Sequence, residues 1–306
     1  MSSRSLNFKT FSPGERWRDD LPLFDGSPKV LDIIQGNYGT CWFLCGLASY
    51  LRPGKSLDAR SQHIIELFKE YTLDDGRDVI KVKMNKEHIV VDKWIGQSPR
   101  QREARCSWPM ILEKVMMAMK TVSIHKYSKK KIPNDPDNAW YCDNIIPSTA
   151  EIRTGAQGLS IFMCSPSRWM SLHLPPFGKT FSPPHVMCHE LFRLVSQGEH
   201  VVANSVSKEY GGQSLAARGA IPRHCYAVLG CDYDNVKRAY SILLYNPWGS
   251  QPIKSDVWPP GVGFERGMFR LSWKEFYEIF GYIHSTTRDD EMIRSGAVMF
   301  DDIMEE

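Results

Sequence analysis

Ten consecutive residues, Trp42 to Leu51, carry no charge and stop two positions short of Pro53 in the stretch QGNYGTCWFLCGLASYLRP. A helix interior does not tolerate proline, so the run predicts a helix over residues 41–51 that ends before it. No stretch of the chain approaches the roughly 18 consecutive apolar residues that a membrane span requires. The run is therefore expected inside a folded core, and 306 residues with 42% hydrophobic content suffice for one or two globular domains.

Period changes mark the elements that follow. SLDARSQHIIELFKEYTL places Ile64, Ile65, Leu67 and Phe68 on one face with Ser56 as N-cap, which predicts a second helix. RDVIKVKM alternates Val79, Ile80, Val82 and Met84 with charges, and EHIVVDKWI is β-branched, so a strand pair is expected. SWPMILEKVMMAMKTV returns to helix, with Pro109 in the first turn and Met116, Met117 and Met119 as core filler. Prolines from Pro133 to Pro184 then break every periodic run of residues 125–186. Beyond them come a helix in HELFRLVSQG, strand-like runs in HVVANSV, CYAVLGCDY and AYSILLYN, and strand, helix and strand in MFRLSWKEFYEIFGYIHST. The fold class is α+β, with residues 1–165 mostly helical, residues 166–306 mostly β, and the boundary in the proline-rich region.

The charge balance argues against two partner classes. Lys and Arg number 38 against 35 Asp and Glu, a net +3, too small to imply a nucleic-acid partner, and the longest apolar run implies no membrane. The basic run KYSKKKIP, from Lys126 to Pro133, reads as a solvated loop. The first twenty residues lack the apolar segment of a secretory signal, so a cytoplasmic or nuclear location is expected. There the cysteines at 41, 45, 106, 142, 164, 188, 225 and 231 would be reduced. HVMCHE gathers His185, Cys188 and His189, but no second ligand group follows at zinc-finger spacing.

Cys41 stands where a glycine-bearing loop becomes the first helix. A free thiol ionises near pH ~8.5, and the unpaired N–H groups and dipole of a helix N-terminus favour its anion. Gly36 and Gly39 allow close backbone approach, and Gln35 could donate to a developing oxyanion alongside the Cys41 N–H. A thiol nucleophile needs an imidazole base and an orienting group. His224 opens one strand-like run, and Asn246 closes the next, twenty-two residues later. Adjacent antiparallel strands could bring the two together, with Trp248 shielding the pair from water. Alone, His224 reads as a core histidine and Asn246 as a turn residue in NPWG; the combination points to a Cys-His-Asn triad.

The blocks DGSPKVLDIIQGNYGTCWFLCGLASYL, HCYAVLG and LLYNPWG resemble the active-site segments of the calpain family of papain-like cysteine proteases, in the family's order Gln, Cys, His, Asn. SWPMILEKVMMAM and RGMFRLSWKEFYEIF are similar to further segments of that core, so the resemblance spans roughly residues 20–285. It implies an intracellular cysteine endopeptidase acting on protein substrates from a cleft between a helical and a β-rich subdomain. Cys41 would be nucleophile, His224 general base and acid, Asn246 orienter, Gln35 oxyanion donor and Trp248 the adjacent tryptophan. Conventional members bind two calcium ions here. For the first, Asp32 and the carbonyls of Phe24 and Gly26 match the pattern, with a further acidic ligand near Glu151. For the second, Pro252, Arg266 and Met268 occupy the acidic positions, so at most one Ca2+ is implied. Thr40 stands where the family usually has Asp, and the EF-hand and C2-like domains have no counterpart. Residues 125–186 are a candidate insertion for a regulatory partner. Two other readings fit part of the pattern: a transglutaminase-type acyl transferase, which shares a Gly-x-Cys-Trp block, and an inactive binding module on the same fold.

Overall fold

The computed structural model describes residues 16–37, 39–74, 76–84, 87–118, 128–131, 135–137, 139–143, 168–173, 184–207, 213, 215–235, 239–250, 253–256 and 266–287. The charge-free run forms helix α1 (Cys41–Tyr50), in which every residue from Trp42 to Tyr50 is buried. A helix apolar on all sides has no solvent face to offer. It shares one hydrophobic cluster with Val82, Ile89, Trp108, Ile111 and Val115 from the first half and Val202, Cys225, Ala227 and Tyr245 from the second. Each fully buried aliphatic side chain in such a cluster contributes roughly 1.5–3 kcal/mol. The helix that begins at Cys41 is thus fixed by packing from both halves.

The first half is not mostly helical as expected, because it carries a sheet of its own. After the short strand β1 (Arg16–Arg18) and α1 comes α2 (Leu57–Glu66), with Ser56 at its N-cap position. The end of the run read as helix instead extends into β2 (Phe68–Thr72), followed by β3 (Asp78–Met84) and β4 (Glu87–Asp92). β5 (Ile95–Gln97) pairs with β1, and α3 (Trp108–Ala118) begins with Pro109 in its first turn. β6 (Ser128–Lys131) and β7 (Trp140–Asp143) complete a sheet in the order β2-β3-β4-β7-β6, antiparallel except between β4 and β7. Residues 128–131 of the basic run read as a loop therefore supply an edge strand.

The second half builds a six-stranded antiparallel sheet, in the order β12-β11-β10-β9-β13-β8. Its elements are β8 (Arg168–His173), α4 (Pro184–Ser196), β9 (Val201–Ser205), β10 (Cys225–Asp234), β11 (Ala239–Tyr245), β12 (Met268–Ser272), α5 (Trp273–Ile279) and β13 (Phe280–Thr287). The sequence SWKE starts α5 as a reciprocal cap: Ser272 N–H donates to Glu275 Oε2 at 2.7 Å and Glu275 N–H to Ser272 Oγ at 3.3 Å. The molecule is thus a mixed α and β structure. The 125–186 region contributes one edge strand to each of the two larger sheets, β6 and β8, together with β7.

Candidate functional site

β10 and β11 pair antiparallel, with Ala227 opposite Tyr245 at one end of the ladder. His224 immediately precedes β10 and Asn246 immediately follows β11, so the register delivers both to that end. His224 Nε2 lies 2.9 Å from Asn246 Oδ1, with both residues buried. The rest of the Asn246 amide fixes which atoms these are. Trp248 N–H donates to the same Oδ1 at 3.1 Å, and Asn246 Nδ2 donates to the Ser250 carbonyl at 2.9 Å. An oxygen that takes a backbone N–H must accept from the imidazole as well, so His224 carries its proton on Nε2 and keeps a lone pair on Nδ1. That is the tautomer a general base needs.

The histidine backbone is held as firmly as its ring. His224 N–H donates to Ser205 Oγ at 3.0 Å, and Ser205 N–H donates to the His224 carbonyl at 3.0 Å. Arg223, one residue earlier, has φ 51, a left-handed conformation that costs a side-chain-bearing residue energy. Such strain persists only where the surroundings impose it. The imidazole ring sits edge-on to Tyr226 and tilted against Trp248, at 4.9 Å between centroids in each case.

α1 starts at Cys41, where the backbone groups of Cys225, the residue after His224, of Trp42 and of Cys41 itself favour the ionised thiol. One turn on, the buried Cys45 Sγ donates to the Cys225 carbonyl at 2.9 Å. The first turn of α1 therefore holds the Cys225 peptide through the Cys45 sulfur, tying the Cys41 end of the helix to the strand that follows His224. The ionised thiol expected from the helix terminus is not what the packing favours. The three amides do stabilise the anion, but burial outweighs them and pushes the Cys41 thiol up to about 12. Burial likewise pushes His224 down to about 4, opposed by the Asn246 bond and aided by the Arg100 charge. Both shifts favour the neutral forms, a thiol on Cys41 and an imidazole on His224.

The loops around this pair are stitched together across the halves. The buried Gln35 donates its backbone N–H to the Pro247 carbonyl at 2.7 Å, and Tyr245 Oη donates to the Ile33 carbonyl at 2.6 Å. The 99–103 turn buttresses the loop before Cys41: Gln101 Nε2 donates to the Ile34 carbonyl at 2.8 Å. Gly36 fits there because a Cβ would come within 2.9 Å of Gln101 Oε1. Thr40 donates its hydroxyl to Glu113 on α3, and burial raises that carboxyl to about 7. Asn246 N–H donates to the Gly267 carbonyl at 2.9 Å, and Arg266 bridges the Gly249 carbonyl at 3.1 Å to Glu103 Oε2 at 2.6 Å.

Three of these partners, Glu113, Arg100 and Arg266, escape sequence reasoning, since each acts across long chain separations. Arg100 lies with its guanidinium carbon 3.8 Å from the centroid of the Trp248 ring. The only local signal near it is the SPRQ capping pattern, which places the turn and leaves its target open.

The calcium residues look different. Asp32 Oδ2 accepts the Lys29 N–H at 3.0 Å and the Trp108 indole N–H at 3.2 Å. Among the described residues no three His, Cys, Asp or Glu side chains cluster as metal ligands, and Glu151 lies outside them. Calcium needs six to eight oxygens. Asp32 could supply one side-chain oxygen of such a set, from a carboxylate whose Oδ2 already accepts two N–H groups. His189 of HVMCHE is engaged instead with Tyr240, 2.8 Å from Nδ1 to the hydroxyl. Among the described residues no helix is long and apolar enough to cross a membrane.

No family model and no curated protein matches the chain. One solved structure, that of PepW from Lactobacillus rhamnosis HN001 (DR20), aligns with 62% of this chain at 11% identity and a TM-score of 0.29. The alignment takes in 50% of PepW, so the chain spans about half of that protein's length.

Proposed function

We propose that this protein is a calpain-like cysteine endopeptidase, papain-like in fold, that performs limited cleavage of protein substrates with Cys41, His224 and Asn246. The observation that supports this best is the 2.9 Å bond from His224 Nε2 to Asn246 Oδ1, which keeps a lone pair on Nδ1 for the role of base, one residue before the Cys225 whose backbone influences Cys41. Because both partners rest neutral, proton transfer accompanies attack. The Cys41 thiol proton passes to His224 Nδ1 as sulfur bonds to the scissile carbonyl carbon, and the carbonyl π electrons move to oxygen. The Cys41 N–H and the Gln35 side-chain amide stabilise that oxyanion. Its collapse breaks the C–N bond, and the leaving amine takes the proton from His224. Water then attacks the thioester with His224 again as base, releasing the acid and restoring the thiol.

The test is cleavage of an unfolded protein substrate by the purified chain and by Cys41→Ala. Cleavage is expected from the first and none from the second; cleavage that survives the substitution refutes the mechanism. A labelled primary amine with a glutamine donor separates the acyl-transferase alternative, because amine incorporation without peptide cleavage would overturn the hydrolase reading. A titration with a chelator decides the calcium requirement: full activity in excess chelator would exclude an essential metal, and loss of activity restored by Ca2+ would establish one.

A further inference from the structure

Arg100 is an unusual charge to find at this place. Half buried, it spends one N–H on the Gly36 carbonyl at a long 3.3 Å and lays its plane over Trp248. Among the described residues no carboxylate pairs with it, and the one influence on its own pKa is the loss of water, which lowers it. A guanidinium has five N–H donors in a rigid fork that matches a carboxylate. Removing such a charge from water without a counter-ion is costly, so a partner that supplies one is favoured. Glu103, on the same turn, is already paired with Arg266.

The proposed chemistry says which partner passes this point. His224 must hand its proton to the leaving amine, so the portion of substrate after the scissile bond leaves over the His224 side. Trp248 borders that ring at 4.9 Å, and Arg100 caps Trp248 in turn. We infer that Arg100 is a specificity-determining residue that selects an acidic side chain in the first positions after the scissile bond. The inference rests on the endopeptidase reading. The same carboxylate would offset the Arg100 charge that disfavours protonated His224, so an acidic substrate would also ease the proton transfer.

The test uses quenched-fluorescent peptides, amidated at the C-terminus, that differ only in carrying Glu or Gln at the first or second position after the cleaved bond. For the natural chain kcat/KM should favour Glu by about tenfold at low salt, the lower end for a charge-assisted hydrogen bond, because Arg100 is only half buried. Arg100→Gln should bring the ratio of the two kcat/KM values to about one, whatever its effect on the Gln peptide alone, and Arg100→Glu should reverse the preference toward a Lys peptide. A natural-chain preference below twofold overturns the inference. So does an equal loss on both peptides in Arg100→Gln, which would make Arg100 a brace for Trp248 and the nucleophile loop. Binding of the labelled product-side peptides to the Cys41→Ala protein, followed by anisotropy, gives an independent arm. Absence of turnover with Glu-selective, Arg100-dependent binding would sink the endopeptidase reading and keep the subsite; absence of both would sink both.

Discussion

Replacing Glu113 by Gln should remove a pH dependence of folding stability whose size follows from its environment. The carboxyl is buried on α3, and burial raises its pKa from 4.5 to about 7, against the smaller lowering effect of the Thr40 hydroxyl that donates to it. Because the folded-state value lies above the unfolded one, the native state holds the proton more tightly. Stability from this group is therefore full below the unfolded pKa and is lost as pH rises towards about 7. At about 1.4 kcal/mol per pKa unit the whole loss is about 3 kcal/mol. Roughly 2.5 kcal/mol of it falls between about pH 5 and about pH 8 when the two titration curves are integrated. Glutamine keeps the shape and an oxygen for Thr40 but cannot ionise. Urea unfolding of both proteins across this range, with the slope checked for constancy, reads the difference directly. The gap between Glu113→Gln and the natural chain should widen by about 2.5 kcal/mol in favour of the variant as pH rises over that range. Parallel stability curves would show that Glu113 is ionised throughout and that the burial argument fails. Thr40→Val offers a second check, since loss of the only lowering contact should move the midpoint above that of the natural chain.

The neutral resting pair predicts how Cys41 meets a small alkylating agent. Its rate with iodoacetamide should rise about tenfold per pH unit through neutrality and beyond, as for a thiol held near 12, with no acid-side plateau; a plateau from about pH 5 upward would mean a preformed thiolate. Gly267→Ala should destabilise the chain by roughly 2–3 kcal/mol and lower activity with it. Its φ is 78, and an added Cβ would sit 2.8 Å from Tyr245 Cε2 and 3.0 Å from the Asn246 carbonyl, so the loop holding Asn246 must shift; an unchanged urea midpoint would refute this.

Much of the site is legible in the sequence because its key side chains sit at element ends that local pattern marks. Cys41 opens a helix announced by a charge-free run and a following proline, and His224 and Asn246 flank two recognisable strands. The rest depends on contacts that no local pattern encodes. Thr40 reaches Glu113 across 73 residues, Cys45 reaches the Cys225 carbonyl across 180, and Arg100 finds Trp248 by tertiary placement. The five-stranded sheet of the first half was obscured for the same reason. Its β7 joins β4 in parallel, from within a region where prolines break every periodic signal, so the pairing and not the local sequence defines the strand.

The thiolate expectation fails for a related reason. The helix terminus is a local feature and contributes as the sequence implies, through the N–H groups of Cys41 and Trp42. Desolvation is a tertiary effect, produced by packing both halves of the chain against α1, and it is the larger of the two here. The absence of charge from Trp42 to Leu51 carries both meanings. It makes the helix easy to find, and it means that the helix lies where water is excluded, so the anion its N-terminus would favour has to be formed together with the imidazolium that balances it. On the proposed mechanism Cys41 would depend less on its own pKa than on how well Asn246 holds His224 ready as base.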